Sequence, residues 1–234
     1  MKYIISIDAG TTGVTILLIN HKLEIIDKEY SEFTQIYPKP GWVEHNPEEI
    51  WETTYKLLSK ILKQNTNKTI SCIGITNQRE TTVLWDRNTN KPIYNAIVWQ
   101  DRRTMDTCNS LIEQNYSNII KNKTGLVIDS YFSGTKIKWI FDNVKDSLEE
   151  AKKGKICFGT IDTWLLWKLT NGKEHKTDFT NASRTLIFNI DTKTWDDDLL
   201  NLLNIPKSIL PRVCNSSHIF GHTDTSLLHS SIPI

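Results

Sequence analysis

The sequence predicts an α/β fold in which a mixed β-sheet is flanked by helices. Residues 3–20 contain two runs of β-branched and aliphatic side chains separated by a polar turn, which indicates two adjacent strands. Asn46 and Pro47 are typical of the first residues of a helix, and apolar side chains recur on one face of the segment that follows. Residues 69–76 then form another apolar strand, so strands and helices alternate.

The turn between the first two strands carries the residue types of a phosphate site. Asp8 ends the first strand and can hold a divalent cation, while Thr11, Thr12 and Gly10 offer hydroxyl and backbone N–H groups to phosphate oxygens. An ordinary β-hairpin with a polar turn explains the same residues equally well. The chain continues into a strand rather than a helix, which excludes the P-loop and the Gly-x-Gly-x-x-Gly loop. A strand–turn–strand phosphate site favours the ribonuclease H-like architecture of actin-like ATPases and sugar kinases.

The composition indicates a globular protein that binds a small molecule. The chain has 234 residues, of which 38% are hydrophobic, enough to bury a core. Its 28 basic and 27 acidic residues leave no excess charge for nucleic acid or a membrane surface. The chain starts with a strand instead of a secretory signal, and its four cysteines are far apart, as is typical of reduced thiols. We therefore expect a cytoplasmic protein with no nucleic-acid or membrane partner.

The rest of the chain predicts further short elements around this framework. The predicted strands are residues 23–33, 81–85, 96–99, 156–159 and 186–190. The predicted helices follow residue 103 to about residue 114 and cover residues 134–144, 162–169 and 196–203. Residues 37–45, residues 177–185 and the chain beyond residue 206 are predicted as loops.

Side chains suited to a small polyhydroxyl ligand occur at strand ends and in one polar loop. Arg79 and Glu80 follow the strand at residues 69–76, at the carboxyl end where open α/β sheets bind ligands, and together they donate to and accept from hydroxyl groups. Trp99 ends another strand and can pack against C–H groups, and the Tyr131 hydroxyl can donate to an oxygen. A surface ion pair and two packed aromatic residues are the simpler interpretations.

Longer motifs resemble the FGGY carbohydrate kinase family and, within it, the members that phosphorylate glycerol. The resemblance runs along the whole chain and rests on residues 36–45, 74–82, 91–103, 124–129, 131–136 and 179–184. It implies transfer of the γ-phosphoryl group of ATP to a terminal hydroxyl of glycerol, which gives glycerol 3-phosphate in glycerol catabolism. It also implies a two-domain, ATPase-like fold with the active site in the cleft, in which residues 1–234 are the N-terminal, glycerol-binding domain.

The resemblance implies a role for each of the candidate residues. Asp8 matches the aspartate that positions Mg²⁺. The positions that line the phosphates of ATP or ADP match Thr11, Thr12 and Gly13. The family's glycerol contacts match Arg79, Glu80, Trp99 and Tyr131. Phosphoryl transfer depends mainly on positioning and charge neutralisation, which a metal ion, a fork of donors and a polar hairpin provide.

Two features depart from the family pattern. A serine and an arginine usually occupy the positions of Gly13 and Thr15, so one cationic phosphate contact is in question. Family members are also much longer, and the aspartate that acts as catalytic base is expected beyond Ile234, together with the C-terminal ATPase-like domain. We therefore expect no catalytic residue in this chain, which alone would be an incomplete and inactive fragment. The sequence leaves open whether the full-length enzyme forms a homo-oligomer.

Three other functions are alternatives to this interpretation. A kinase for another polyol or sugar, such as xylulose or gluconate, fits the motifs around residues 78–80 and 96–103 less well. A ribonuclease H-like nuclease with two metals needs further carboxylates that converge on Asp8, yet the strand at residues 69–76 has none and the chain is not basic. A non-catalytic binding domain is the third alternative.

Overall fold

Strands and helices alternate along the chain in the computed structural model, which describes residues 2–234. The strands are β1 (Lys2–Ala9), β2 (Gly13–Asn20), β3 (Ile25–Glu32), β4 (Glu44–His45), β5 (Thr69–Asn77), β6 (Val83–Asp86), β7 (Ala96–Ile97), β8 (Ile156–Gly159), β9 (Lys176–Asp178), β10 (Phe188–Asn189), β11 (Thr194–Trp195) and β12 (Arg212–Cys214). The helices are α1 (Pro47–Gln64), α2 (Met105–Glu113), α3 (Ser117–Thr124), α4 (Ser133–Asn143), α5 (Ser147–Lys152), α6 (Ile161–Leu169), α7 (Phe179–Ala182), α8 (Asp197–Leu202) and α9 (Thr225–Leu228), with a 3₁₀ turn at Lys207–Ile209.

The central sheet has four strands in the order β3-β2-β1-β5. β1 pairs antiparallel with β2 and parallel with β5, and β2 pairs antiparallel with β3. The predicted mixed sheet and its N-terminal hairpin are therefore confirmed. Alternate residues of β1 and β2 are fully buried, which builds a core between the sheet and the helices. These residues are Ile5, Ile7, Ala9, Val14, Ile16 and Leu18.

Helix α1 begins where the sequence predicts. The Asn46 side chain accepts a hydrogen bond from the backbone N–H of Glu48 at 3.0 Å, and Pro47 occupies the first helical position. Ile50 and Leu58 of this helix are fully buried in the core beneath the sheet. The helix therefore covers one side of the hairpin that forms the candidate phosphate site.

A second pair of strands divides the molecule into two apolar clusters. β6 pairs antiparallel with β8, and successive residues of β6 point to opposite sides. Trp85 belongs to the cluster under the central sheet, whereas Leu84 belongs to the cluster formed with α4 and α8. Phe158 of β8 packs in that second cluster as well. This arrangement brings the start of α4, and with it Tyr131, towards the end of the central sheet.

Several predicted boundaries were wrong. Residues 177–185 are not only loop, because Asp178 caps the short helix α7 by accepting the backbone N–H of Asn181 at 2.8 Å. The strand predicted at residues 186–190 is reduced to β10, since Leu186 has a left-handed backbone with φ of 67°. The chain beyond residue 206 contains β12, which pairs in parallel with β9. Helices α3 and α5 were not predicted.

Two further expectations concern membrane-spanning helices and the state of the cysteines, and both are compared here with residues 2–234. No helix in that range is both long enough and apolar enough to cross a membrane. The cysteines are free, as predicted, and three of them are buried. These four thiols are Cys72, Cys108, Cys157 and Cys214.

Candidate active site

Asp8 lies at the end of β1, directly before the turn. Its side chain is exposed, because it alternates with the buried Ile7 and Ala9 on the opposite side of the strand. In register it lies between Thr15 of β2 and Thr76 of β5. The predicted metal-positioning carboxylate is therefore accessible to a ligand held at the turn.

The backbone of the turn is held from inside the protein. All four carbonyl groups of residues 9–12 accept hydrogen bonds from groups of the fold. The bonds are Gln78 N to Ala9 O (2.8 Å), Gln78 Nε2 to Gly10 O (3.1 Å), Gln35 Nε2 to Thr11 O (3.1 Å) and Phe33 N to Thr12 O (3.3 Å). The conformation of the candidate phosphate site is therefore fixed in advance of a ligand, which lowers the entropy that binding has to overcome.

Gly13, the first residue of β2, allows a close approach of β3 to the turn. A Cβ atom at this position would lie 2.5 Å from the backbone oxygen of Ser31 and 2.9 Å from Cε2 of Tyr30. Tyr30 faces Thr15 across the two strands. The serine and arginine that the family pattern leads us to expect are thus replaced by a glycine and a threonine against which a tyrosine packs.

Trp99 joins the turn to the candidate polyol site. Its indole Nε1–H donates to the Thr11 hydroxyl at 3.0 Å, and its backbone N–H donates to the Thr81 hydroxyl at 3.3 Å. Its ring is 5.4 Å from the ring of Tyr131, measured between centroids. Residues that were predicted for two different ligands are therefore in direct contact.

Glu80 is buried and forms an ion pair that was not predicted. Its side chain accepts a hydrogen bond from Arg184 Nε at 2.5 Å, and its backbone oxygen accepts one from the Ser133 hydroxyl at 3.0 Å. The guanidinium of Arg184 also lies 5.5 Å from the centroid of the Tyr131 ring. Glu80 has a left-handed φ of 64°, which is uncommon for this residue type and requires support from its surroundings.

Arg79 does not pair with Glu80. Its side chain is exposed and forms no ion pair or hydrogen bond with any of residues 2–234. It lines a cavity of about 410 Å³ beside the edge strand β5, together with Asn77 and Asp178. Arg79 and Glu80 therefore have different surroundings. The arginine that lies beside the Glu80 carboxylate is Arg184, whereas the sequence led us to expect Arg79 there.

The loop that carries Tyr131 is fixed at both ends. Lys136 is fully buried, and its Nζ donates to the backbone oxygen of Tyr131 at 2.5 Å. Burial lowers the pKa of Lys136 to about 7. At the other end, the Asp129 side chain accepts the Tyr131 backbone N–H at 2.8 Å and Arg102 Nη1 at 2.9 Å. The Tyr131 ring is thus held between Trp99 and Arg184.

The segment predicted as a loop at residues 37–45 ends in the short strand β4 and is anchored by an arginine with a buried side chain. Arg103 lies 3.8 Å from the centroid of the Trp42 ring. Its Nη2 donates to Glu44 Oε1 at 2.7 Å and to Asp101 Oδ2 at 2.8 Å. These bonds join β4 to the segment that follows β7, which is the segment that contains Trp99.

The residues missed by the sequence interpretation share one property. Gln35, His45, Gln78, Lys136 and Arg184 act on the site through partners that are mostly far away in the sequence, such as Arg184 on Glu80. The one sequence signal for these residues is that most of them lie in segments that resemble the family. Such a resemblance identifies a segment but does not assign a role to each residue in it.

Comparisons with known proteins agree with this geometry. The model of the FGGY family of carbohydrate kinases, N-terminal domain, matches residues 3–233. Over the whole chain, the sequence is 54% identical to glycerol kinase 2 of Thermotoga maritima and 57% identical to glycerol kinase of Brevibacillus brevis. It covers 48% and 47% of those two proteins, so the chain spans about half the length of the curated relatives it matches.

Solved structures show the same relationship. The crystal structure of Plasmodium falciparum glycerol kinase with ADP superposes with a TM-score of 0.96 at 37% identity, over all of this chain and 47% of that one. A ligand-bound xylulose kinase of Lactobacillus acidophilus has a TM-score of 0.90 at 22% identity, again over 100% and 47% of the two chains, which shows a shared fold. This is the actin-like, ribonuclease H-like fold that the sequence predicted. The chain belongs to the FGGY family of carbohydrate kinases.

Proposed function

We propose that the protein phosphorylates glycerol with ATP to give glycerol 3-phosphate, and that these residues supply the glycerol-binding part of the site. The observation that carries this proposal is the hydrogen bond of 3.0 Å between Trp99 Nε1 and the Thr11 hydroxyl. It joins a turn suited to phosphate with aromatic and charged groups suited to a polyol. Phosphoryl transfer requires such proximity, because donor and acceptor have to be aligned within one site.

The turn is the proposed phosphate end of the site. Thr11, Thr12 and Gly13 would donate to phosphate oxygens through hydroxyl and backbone N–H groups. Residues 2–234 contain no group of three or more His, Cys, Asp or Glu that could hold a metal ion. One accessible carboxylate, Asp8, nevertheless fits Mg²⁺, which often binds through one or two carboxylates with waters and substrate phosphates. Bound there, Mg²⁺ would neutralise phosphate charge.

The polyol end of the site is proposed to hold glycerol by four side chains. Glu80 would accept hydrogen bonds from hydroxyl groups, with Arg184 holding its carboxylate in place. The exposed Arg79 would supply donors, and Tyr131 and Trp99 would contribute a hydroxyl group and an aromatic surface. A buried, charge-paired acceptor of this kind discriminates strongly against a ligand that lacks the hydroxyl group.

The comparisons favour glycerol over xylulose as the substrate. The relatives named glycerol kinase are 54% and 57% identical to the chain, whereas the xylulose kinase structure is 22% identical. Since the chain spans about half of those relatives, we propose that residues 1–234 form the N-terminal domain and that adenosine is bound by residues outside this sequence. We also propose a cytoplasmic location, because the reaction consumes ATP and the four cysteines are free thiols.

Calorimetric titration of the 234-residue chain with glycerol, xylulose and gluconate tests this proposal. We expect glycerol to bind, and the other two to bind at least about tenfold more weakly, since their extra groups leave polar atoms of the site unpaired. The Tyr131→Phe variant tests one proposed contact, because it removes the hydroxyl group and keeps the ring, and we expect it to bind glycerol more weakly. Tighter binding of xylulose or gluconate than of glycerol, or no binding of glycerol, would contradict the proposed substrate.

A further inference from the structure

His45 lies behind the phosphate turn, and its ring hydrogen-bonds to two glutamines that hold the turn. The residue is fully buried at the end of β4, with its ring 4.9 Å from the ring of Phe33. Its Nε2 is 2.7 Å from Gln35 Oε1, and its Nδ1 is 3.2 Å from Gln78 Nε2. These two glutamines donate to three of the four carbonyl groups of the turn. His45 therefore connects the two glutamine side chains that hold the turn.

The hydrogen bonds determine the state of the imidazole. Gln35 Nε2 donates to the backbone oxygens of Thr11 (3.1 Å) and Phe33 (3.3 Å), so Gln35 Oε1 is left to accept a hydrogen bond from His45 Nε2–H. Gln78 Nε2 donates to Gly10 O and to His45 Nδ1, and Gln78 Oε1 accepts from Thr81. Every polar atom of the three side chains is thus used, with a neutral imidazole protonated on Nε2.

The environment of His45 keeps the ring neutral. Burial lowers its pKa to about 4, and the carboxylate of Glu49 on α1 offsets this only in part. A protonated ring would donate from both nitrogens and would face the amide hydrogens of Gln78. The arrangement therefore depends on the neutral form, which is the form present at neutral pH.

We propose that His45 is a positioning residue for the phosphate turn and acts through Gln35 and Gln78 on the carbonyls of Thr11 and Gly10. A peptide group is planar and trans, so a carbonyl and the N–H group of the next residue point in opposite directions. Holding the carbonyls of Gly10 and Thr11 towards the interior directs the N–H groups of Thr11 and Thr12 away from it. This inference rests on the proposed function, because that function supplies the phosphate that the two N–H groups would bind.

Variants of His45 with graded hydrogen-bonding capacity test the proposal. The His45→Leu variant keeps bulk but removes both bonds, whereas His45→Gln keeps one donor and one acceptor. The probe is inorganic tripolyphosphate with Mg²⁺, titrated into the ¹⁵N-labelled 234-residue chain and followed at the Thr11 and Thr12 amides. We expect His45→Leu to weaken binding about tenfold and His45→Gln to restore most of it. Glycerol affinity should change much less.

A second histidine with a lowered pKa provides the control. His175 is partly buried, desolvation lowers its pKa to about 4, and its Nε2 bonds to the backbone oxygen of Phe158, away from the turn. His175→Leu should lose stability like His45→Leu and leave tripolyphosphate affinity unchanged. An equal loss of affinity in both variants would show a general loss of structure and would overturn the positioning role.

The outcomes separate this inference from the proposed function. If the unaltered chain binds glycerol and His45→Leu binds tripolyphosphate as the unaltered chain does, the positioning role is wrong and the proposed function stands. If the unaltered chain binds neither probe, the proposed function is wrong. Hydrogen exchange of the Thr11 and Thr12 amides then decides the positioning role, which requires faster exchange in His45→Leu than in His45→Gln.

Discussion

Glu80 shows how strongly this fold specifies one side chain. A glutamate with a left-handed backbone costs free energy on the order of 1–3 kcal/mol, and a buried carboxylate costs more unless it is paired. Here Arg184 pairs with the carboxylate, while hydroxyl groups of Ser133 and Thr82 bind the backbone oxygen. Such support from several directions is typical of a residue whose position matters for ligand binding.

Removing the charge of Glu80 should therefore weaken glycerol binding. Hydrogen bonds to charged groups contribute about 1.5–3 kcal/mol, so Glu80→Gln should reduce glycerol affinity by about tenfold to a hundredfold. Arg79→Ala should also weaken binding, with little effect on folding, because Arg79 is exposed. Calorimetry with glycerol measures both variants. The control is Glu149→Gln, which removes an exposed carboxylate paired with Lys152. Unchanged affinity in both site variants would contradict the assignment of the polyol end.

The sequence predicts the candidate site only in part, because some of its residues are positioned by contacts with distant segments. Asp8 lies at the end of a strand and Thr11 and Trp99 lie shortly after strand ends, and a strand end can be recognised from local sequence. Arg184 could not be assigned in this way, because its partner Glu80 lies in a distant segment, and their contact depends on how the residues after α7 meet the residues between β5 and β6. Local sequence patterns indicate which side chains can reach a ligand, whereas the residues that hold those side chains in place are determined by tertiary contacts.

At the scale of elements, the strands and helices with strong local signals were predicted correctly. The hairpin of β1 and β2, helix α1 with its Asn46 cap, and the buried helix α6 are examples. The errors concern elements that depend on distant partners. β9 and β12 have three residues each and exist because they pair with one another, which no local periodicity reveals.

The pairing of β2 with β3 leads to a prediction about phosphate affinity. Thr15 occupies the position of the family's arginine and faces Tyr30, so an arginine there could stack on the ring and reach the turn. Thr15→Arg should tighten Mg²⁺-tripolyphosphate binding by about tenfold, as expected for one added charge contact. The control is Leu17→Arg, two residues further along β2. If affinity rises equally in both variants or in neither, the position has no specific role in phosphate binding.

For the whole molecule, buried ionisable groups determine how stability depends on pH. Burial lowers the pKa of His45 and of His175 to about 4, so between about pH 5 and pH 6 the unfolded chain binds two more protons at these sites. Burial raises the pKa of Asp162 to about 6, so the folded chain keeps one proton that the unfolded chain releases. The balance is about one proton in favour of the unfolded chain.

The free energy of unfolding should therefore rise by about 1.4 kcal/mol per pH unit between pH 5 and pH 6. His175→Leu should make the slope close to zero, because the remaining histidine and Asp162 cancel. Asp162→Asn should instead make the slope steeper, since both histidines remain. Urea denaturation at pH 5, 5.5 and 6 measures the three slopes. A steeper slope in His175→Leu than in the unaltered chain would contradict the assigned protonation states.

The 234-residue chain by itself should bind glycerol without producing glycerol 3-phosphate. Phosphoryl transfer requires the hydroxyl group, the γ-phosphate and Mg²⁺ in line, and a misplaced group costs orders of magnitude in rate. Of the site carboxylates, Glu80 is engaged by Arg184 and Asp8 is the proposed metal contact, so neither is free to accept the hydroxyl proton. A coupled assay with ATP, Mg²⁺ and glycerol measures turnover, with a complete glycerol kinase as the positive control. Comparable turnover would show that these residues suffice.

The close contact between Gly13 and Tyr30 also constrains the order in which the two positions can evolve. A serine at position 13 meets both the tyrosine ring and the backbone of β3 at Ser31, so this substitution is disfavoured while the tyrosine is present. Replacement of Tyr30 by a smaller residue relieves only the contact with the ring, because the backbone oxygen of Ser31 still lies 2.5 Å from the new Cβ atom. A serine at position 13 therefore requires two earlier changes, the loss of the tyrosine ring and a shift of the β3 backbone, and we expect the glycine to persist until both have occurred.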